Sequence, residues 1–419
     1  MSNARAAWPV CVLVFGLLWG PARAADTPGV TDTEIKLGQN AAFSGPASVY
    51  GQISTAEQHF FQMVNDQGGI NGRKIRLIAL DDGYSPPKAI EVIRKLVEDE
   101  QVAILFQTLG TASNVAIRKY VNQKKVPDIW IGTGASLFSA AYKEFPWTIQ
   151  FQPSYRVEGQ MYAKYILATK PNAKIGILYQ NDDLGRDYIA GLKDGLGDRF
   201  DKMVVKNISY EVTDPTIDSQ ILDVKSSSAD VLFDMSTPKF SAMAIRKVAD
   251  LDWHPVHIID SNGALIKPAL ESAGFEKSLG VITAQYIKIP GDPQWDSDPG
   301  MKDYYAWKAK YAPEADDANP VWYYGYTMAQ ALVIVLQRAG NDLSRENIMK
   351  AATSLPDTTT LPLVLPGIKI STSPTDLSKP ADFRAGSTRA PLESMMCSGC
   401  QPRSATLRIA MAENFGVLM

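Results

Sequence analysis

Residues 128–140, "DIWIGTGASLFSA", change character halfway. Ile129, Trp130 and Ile131 read as the end of a buried strand. The chain then turns to Gly132, Thr133, Gly134, Ala135 and Ser136, residues that pack poorly and hydrogen-bond well. Such a turn exposes backbone N–H groups where a ligand could reach them.

The same switch recurs elsewhere. Phe106 is followed by "QTLGTASN", Gln180 by "NDDLG", Met235 by "STPKF" and Asp260 by "SNGAL". Each follows a candidate strand. The strands expected are "IKLGQN" from Ile35, "KIRLIAL" to Leu80, "VAILF" to Phe106, "PDIWI" to Ile131, "KIGILYQ" to Gln180, "KMVVKNISY" to Tyr210, "ADVLFDM" to Met235, "VHIID" to Asp260 and "GVITAQYI" to Ile287. Helical periods lie between them: Ile90, Ile93, Leu96 and Val97 recur at helical spacing, and a helix opening at Ser54 with Glu57 as a capping box buries Ala56, Phe60, Phe61 and Val64. Tyr304–Tyr311 and Tyr323–Gly340 predict two more helices.

Strand alternating with helix predicts an α/β fold with parallel-rich sheets covered on both faces. Nine strands suit two Rossmann-like lobes better than one sheet. Pro146 and Pro153 in "PWTIQFQPSY" mark the break. The expected division is residues 33–145 plus 285–370 for the first lobe and 153–284 for the second. In open α/β sheets ligands bind beyond the carboxyl ends of the strands. The plainer reading of the five polar loops is that Ser, Thr and Asn only cap helices.

The chain has 419 residues, 45% hydrophobic and 21% charged, enough for two full cores and too apolar for disorder. Residues 1–24 carry Arg5, an apolar run from Val10 to Trp19 and an Ala-Arg-Ala end, the pattern of a cleaved export signal. Its removal takes Arg5 and Arg23 and no acid, moving the net charge from -3 to -5. That mild acidity argues against nucleic acid as a partner. Cys11 leaves with the signal, and Cys397 and Cys400 form one isolated C-x-x-C, better suited to a local disulfide, or to no bond at all, than to zinc. No cofactor or metal is expected.

Catalytic patterns are missing: no G-x-S-x-G, no H-E-x-x-H, no phosphate-binding loop, and "GTGASL" lacks the third glycine of a dinucleotide site. His59, His254 and His257 read as structural. A hydrolase using Ser136 or Ser261 would need a base that no feature of the sequence supplies.

Several stretches resemble the periplasmic substrate-binding proteins of branched-chain amino acid type ABC transporters. They are "GQNAAFSGPASVYG", "VNDQGGINGRKIRLIALDDGYSPPKA", "RKLVEDEQVAILF", "FPWTIQFQPSYRVEGQMYAKYIL", "VWYYGYTMAQALVIVLQRAG" and "LPGIKISTSPTD", spanning about Ile35 to Asp376. The resemblance implies a type I periplasmic binding protein fold: two lobes joined by three crossovers, closing on a small ligand that passes to a membrane permease. It also implies a monomer and no enzymatic activity.

Carried over by position, the resemblance assigns a carboxylate cradle to Leu109, Gly110 and Thr111 in one loop and Gly134, Ala135 and Ser136 in another. Tyr50 falls at an aromatic wall, Tyr155 at the first crossover, and Leu184, Ser236 and Asn262 on the second lobe's side. Where amino-acid binders of the family place an acid in the "DSNGA" loop, this chain has Asn262, which cannot neutralise an ammonium. An aromatic or other amphipathic acid is therefore favoured over a branched-chain amino acid, although Asp260 two residues earlier keeps the latter open. The alternative role is that of a periplasmic ligand sensor. After "SPTD" the sequence departs from the family, and residues 377–419 read as a divergent tail.

Overall fold

The computed structural model describes residues 27–368 and 370–373, with the backbone of residues 408–409. The expected export signal and the Cys397–Cys400 pair lie outside the described residues. Two parallel sheets organise the chain. In the first, β1 (Glu34–Ala41), β2 (Lys74–Asp81), β3 (Ile104–Phe106), β4 (Asp128–Ile131) and β5 (Thr148–Gln150) lie in the order β2-β1-β3-β4-β5. In the second, β6 (Ile175–Gln180), β7 (Val204–Tyr210), β8 (Val231–Met235), β9 (Val256–Ile259), β10 (Ile282–Thr283) and β11 (Arg408–Ile409) lie in the order β11-β10-β9-β8-β6-β7. Taken from β6 to β10, the second sheet repeats the strand order of the first. Each lobe therefore has its topological switch point between its first and third strands.

The helices of the first lobe are α1 (Gly51–Asp66), α2 (Pro86–Arg94), α3 (Thr111–Gln123) and the single turn α4 (Ser136–Ala140). The second lobe carries α5 (Tyr155–Thr169), α6 (Asp183–Leu196), the short α7 (Phe200–Met203), α8 (Asp218–Ser226) and α9 (Pro238–Asp250). The chain then returns, and α10 (Pro299–Tyr311), α11 (Val321–Ala339) and α12 (Arg345–Ala352) join the core of the first lobe. There Phe60 and Trp307 pack on the Tyr326 ring, with centroids 4.9 and 5.0 Å away. Such aromatic pairs add to plain area burial. No helix among the described residues is long and apolar enough to cross a membrane.

Two expectations about strands change. Thr148–Gln150, read as part of the break, is a strand pairing in parallel with β4. Pro146 and Pro153 lie just outside it, so they bound the edge strand and remove no ladder bond. Conversely, only Ile282–Thr283 of "GVITAQYI" pairs in the second sheet. Beyond it the Ala284 amide donates to Tyr162 Oη at 3.0 Å, and Ile287 bridges antiparallel to Val364. The segment is leaving one lobe for the other. α12 has no counterpart in the sequence reading; Ser344 caps it.

β4 itself is irregular. Its register against β5 shifts between Ile129 and Ile131, and Trp130 has φ +57°. This bulge turns the fully buried Trp130 ring edge-on to Phe151 at 5.5 Å.

Candidate functional site

The carboxyl ends of the two sheets face one another across a cleft. Tyr50, which precedes α1, donates its hydroxyl to the Asn262 carbonyl of the second lobe at 3.0 Å. The Lys267 amide similarly reaches the Ala318 carbonyl at 2.9 Å. The lobes are therefore closed on each other.

On the first lobe, β3 runs into α3 through Leu109 and Gly110. Gly110 has φ +95°, and a Cβ there would sit 3.0 Å from the Tyr84 ring, so glycine is required. As the residue preceding α3 it brings no side chain to cap the helix. The first N–H groups of a 13-residue helix thus open on the cleft, with the positive end of its dipole. The Thr111 hydroxyl pairs with that of Thr133 at 2.7 Å. Asn114 holds the turn from beneath, donating to the Thr108 and Gly110 carbonyls.

The remaining wall is aromatic and aliphatic. Tyr50, Tyr84, Tyr155, Tyr286, Tyr323 and Tyr324 all line it. Burial raises the phenols of Tyr50, Tyr84, Tyr155 and Tyr324 above their usual range, which keeps them neutral. Among the described residues no charged side chain lines the cleft.

On the second lobe, the loop after β9 brings Ser261 and Asn262 to the cleft. Asp260 lies beneath it, with Oδ1 accepting the Asn262 and Gly263 amides at 3.0 and 3.1 Å. Burial, then the charges of Glu158 and Asp234, push the Asp260 carboxyl well up. Glu158 on α5 is also buried and accepts from Tyr162, Tyr188 and Ser261. Burial raises its carboxyl too, against the pull of those donors. The buried His257 meets Asp234 at 3.1 Å, on the strand pair β8–β9.

Of the residues expected at the site, the cleft brings together Tyr50, Leu109, Gly110, Thr111, Tyr155, Leu184 and Asn262. Four others do not line it. Gly134 lies under Tyr155, where a Cβ would come within 2.6 Å of the ring, and Ala135 is fully buried in the second lobe's core cluster. Ser136 gives both its amide and its hydroxyl to Asp187 of α6, the amide at 2.8 Å. A carboxylate of the protein itself thus occupies the donors expected to hold a ligand. Ser236 is buried, its hydroxyl 2.8 Å from that of Ser241, and the next residue, Thr237, lines the cleft instead. The turn that follows β4 therefore contributes Gly132 to the cleft and spends Gly134–Ser136 on joining the lobes.

The sequence reading missed Tyr84, Gln152, Tyr286, Tyr323 and Tyr324. "DDGYSPP" did carry a signal, since it follows a strand end. The other four lie on crossovers or on returning chain, where periodicity says nothing about which side faces a ligand. Asp81, beside this loop, accepts the Phe43, Ser44 and Gly83 amides and fixes the rim.

Two α/β lobes closed on a cleft without charged side chains define a two-lobed solute-binding protein. The family model described as "Periplasmic binding protein" matches residues 34–379, and the chain belongs to that family. It is a substrate-binding protein of the leucine-binding type and not an enzyme. It is 24% identical over 311 residues to a Leu/Ile/Val-binding protein homolog 7 of Brucella suis biovar 1 (strain 1330), covering 72% of this chain and 75% of the relative. A fatty acid ABC transporter substrate-binding protein from Thermomonospora curvata superposes with a TM-score of 0.73 at 20% identity, covering 87% of this chain and 90% of that one. A solute-binding protein of an R. palustris ABC transporter, in complex with 4-hydroxybenzoate, gives a TM-score of 0.68 at 16% identity, with 82% and 90% covered. At these identities the structural likeness is one of fold.

Proposed function

We propose that the protein captures a small amphipathic carboxylic acid between its lobes in the periplasm and delivers it to an ABC permease. The observation that carries this reading is the uncapped N-terminus of α3 at Gly110–Thr111, opening on a cleft of tyrosine and aliphatic side chains. A helix N-terminus takes a carboxylate without a cationic side chain, and the tyrosine wall suits an apolar body with polar edges. Tyr50, Leu109, Tyr155 and Leu184 would hold that body, with Asn262 closing the far side. An aromatic acid fits this wall better than a branched-chain amino acid, because the acids nearest the cleft, Glu158 and Asp260, lie behind it, with both oxygens of Glu158 and Oδ1 of Asp260 bonded to the protein's own donors. The neighbours named for fatty acids and for 4-hydroxybenzoate support the acid class.

A thermal-shift screen of aromatic acids, fatty acids and aliphatic amino acids tests the reading. A true ligand at a hundred times its dissociation constant adds about 2.7 kcal/mol of stability. The matching carboxamide should shift the melting point far less. Equal shifts for acid and amide would remove the helix N-terminus from the argument, and a response to amino acids alone would reverse the preferred class. Deleting the gene should abolish uptake of the acid; uptake intact with altered gene expression would instead identify a sensor.

A further inference from the structure

We propose that Glu158 fixes the hydrogen-bond polarity of the second lobe's wall, so that the ligand must turn a hydrogen-bond donor, a hydroxyl or an amino group, toward Ser261. The inference deepens the reading above and rests on the ligand lying in this cleft.

Glu158 does not line the cleft; it sits one layer behind, 5% exposed. Its Oε1 accepts from the Tyr162 hydroxyl at 2.7 Å and the Ser261 amide at 2.8 Å. Its Oε2 accepts from the hydroxyls of Tyr188 and Ser261, both at 2.9 Å. Only the ionised carboxylate can accept from all four, since a protonated one sets a donor against a donor.

Ser261 has one hydroxyl proton, and Glu158 takes it. What Ser261 Oγ keeps for the cleft is lone pairs. Tyr188 spends its proton the same way, and its oxygen meets Asn262 Nδ2 at 3.4 Å. That contact turns the side-chain amide of Asn262, taking one of its two hydrogens, and leaves its Oδ1 as an acceptor. The backbone amides of Asn262 and Gly263 are bound to Asp260. The loop therefore offers acceptors backed by two buried acids. A hydroxyl or amino group is complementary to it, whereas an ether oxygen would set lone pairs against lone pairs at the cost of an unmade bond.

Glu158 is thus a positioning residue that acts on the ligand through Ser261. Glu158→Gln keeps the shape but puts an NH2 where one oxygen was, so the Ser261 or Tyr188 hydroxyl must accept and turn its proton away. The mature full-length protein should be titrated calorimetrically with 4-hydroxybenzoate, 4-aminobenzoate, 4-methoxybenzoate and benzoate, and with the four corresponding carboxamides. In the wild type the hydroxy and amino compounds should bind about tenfold or more tighter than the methoxy compound. In Glu158→Gln that ratio should fall to roughly threefold or less, and Ser261→Ala, which leaves the buried carboxylate in place, should lower it as well. A role in folding alone would weaken all four acids equally and leave the ratio untouched.

Methoxy and hydroxy compounds binding alike in the wild type, or a ratio that survives both substitutions, would overturn the proposal. If carboxamides bind as well as acids but the donor preference holds, the carboxylate reading fails and the role of Glu158 stands. If no compound of either series binds, both fall.

Discussion

The two lobes repeat one strand order and use it in opposite ways at their carboxyl ends. In the first lobe the helix after the third strand, α3, begins with Gly110, which leaves its N–H groups open. In the second lobe the equivalent helix, α9, starts at Pro238, which has no N–H, and the Thr237 amide before it goes to the Tyr210 hydroxyl at 3.0 Å; Asp260 takes the amides of the loop after β9. One wall presents backbone donors; the other spends its nearby backbone amides within the protein and presents acceptors at Ser261 and Asn262. Identical topology thus yields a cleft with two chemically different faces, which suits a ligand whose two ends differ. The difference comes from single residues: Gly110 and Thr111 at one helix start, Pro238 at the other, and Asp260 behind the loop that follows β9.

Individual buried acids of the two lobes differ also in how they are satisfied, and the largest effect is expected there. Glu158 has four donors, whereas Asp128 at the start of β4 has one, the Thr108 hydroxyl at 2.9 Å, and its Oδ2 meets no donor among the described residues. Burial pushes Asp128 up to about 7. Since this lies above the unfolded value of about 4, its contribution is intact below pH ~4 and is lost as the pH rises through about 7. In urea unfolding, the stability of the wild type relative to Asp128→Asn should fall by roughly 3–4 kcal/mol between about pH 4 and pH 8. A difference that does not change with pH would mean that Asp128 is satisfied as well as Glu158 is.

Next in size is Gly110→Ala. A side chain at φ +95°, pressed on the Tyr84 ring, should cost about 2 kcal/mol of stability and close off the donor face. Acid binding should suffer more than carboxamide binding, measured by calorimetry. An unchanged acid-to-amide ratio would show that the helix start is not the carboxylate's seat.

The smallest effect belongs to Ser136→Ala. Ser136 joins the lobes through Asp187, so losing the hydroxyl should weaken closure by about 1 kcal/mol while the amide bond remains. Every ligand should then weaken by the same factor, roughly fivefold. If acids weaken and their carboxamides do not, Ser136 touches the ligand and the two lobes share the carboxylate.

Much of this was legible in the chain itself. The apolar runs located nine strands because a strand buried on both faces must be apolar throughout. The change to glycine, hydroxyl and amide residues at their ends marked loops facing a common side. What resisted was the direction of individual groups. Ser136 and Thr111 sit in loops of the same kind, yet one faces Asp187 and the other faces the cleft. Glu158 reads in sequence as an ordinary first-turn helix glutamate, and its importance depends on Tyr162, Tyr188 and Ser261, the last 103 residues away.

The sequence by itself determined the alternation of strand and helix, the pairing of two similar lobes, and the family, because these depend on local periodicity and on motifs contiguous in the chain. The tertiary structure alone decided which polar loops serve the ligand and which serve the protein, and whether each offers donors or acceptors. A hydrogen-bonding group has few protons and lone pairs to give, and which partner takes them is fixed only when distant segments are brought within 3 Å or so of one another.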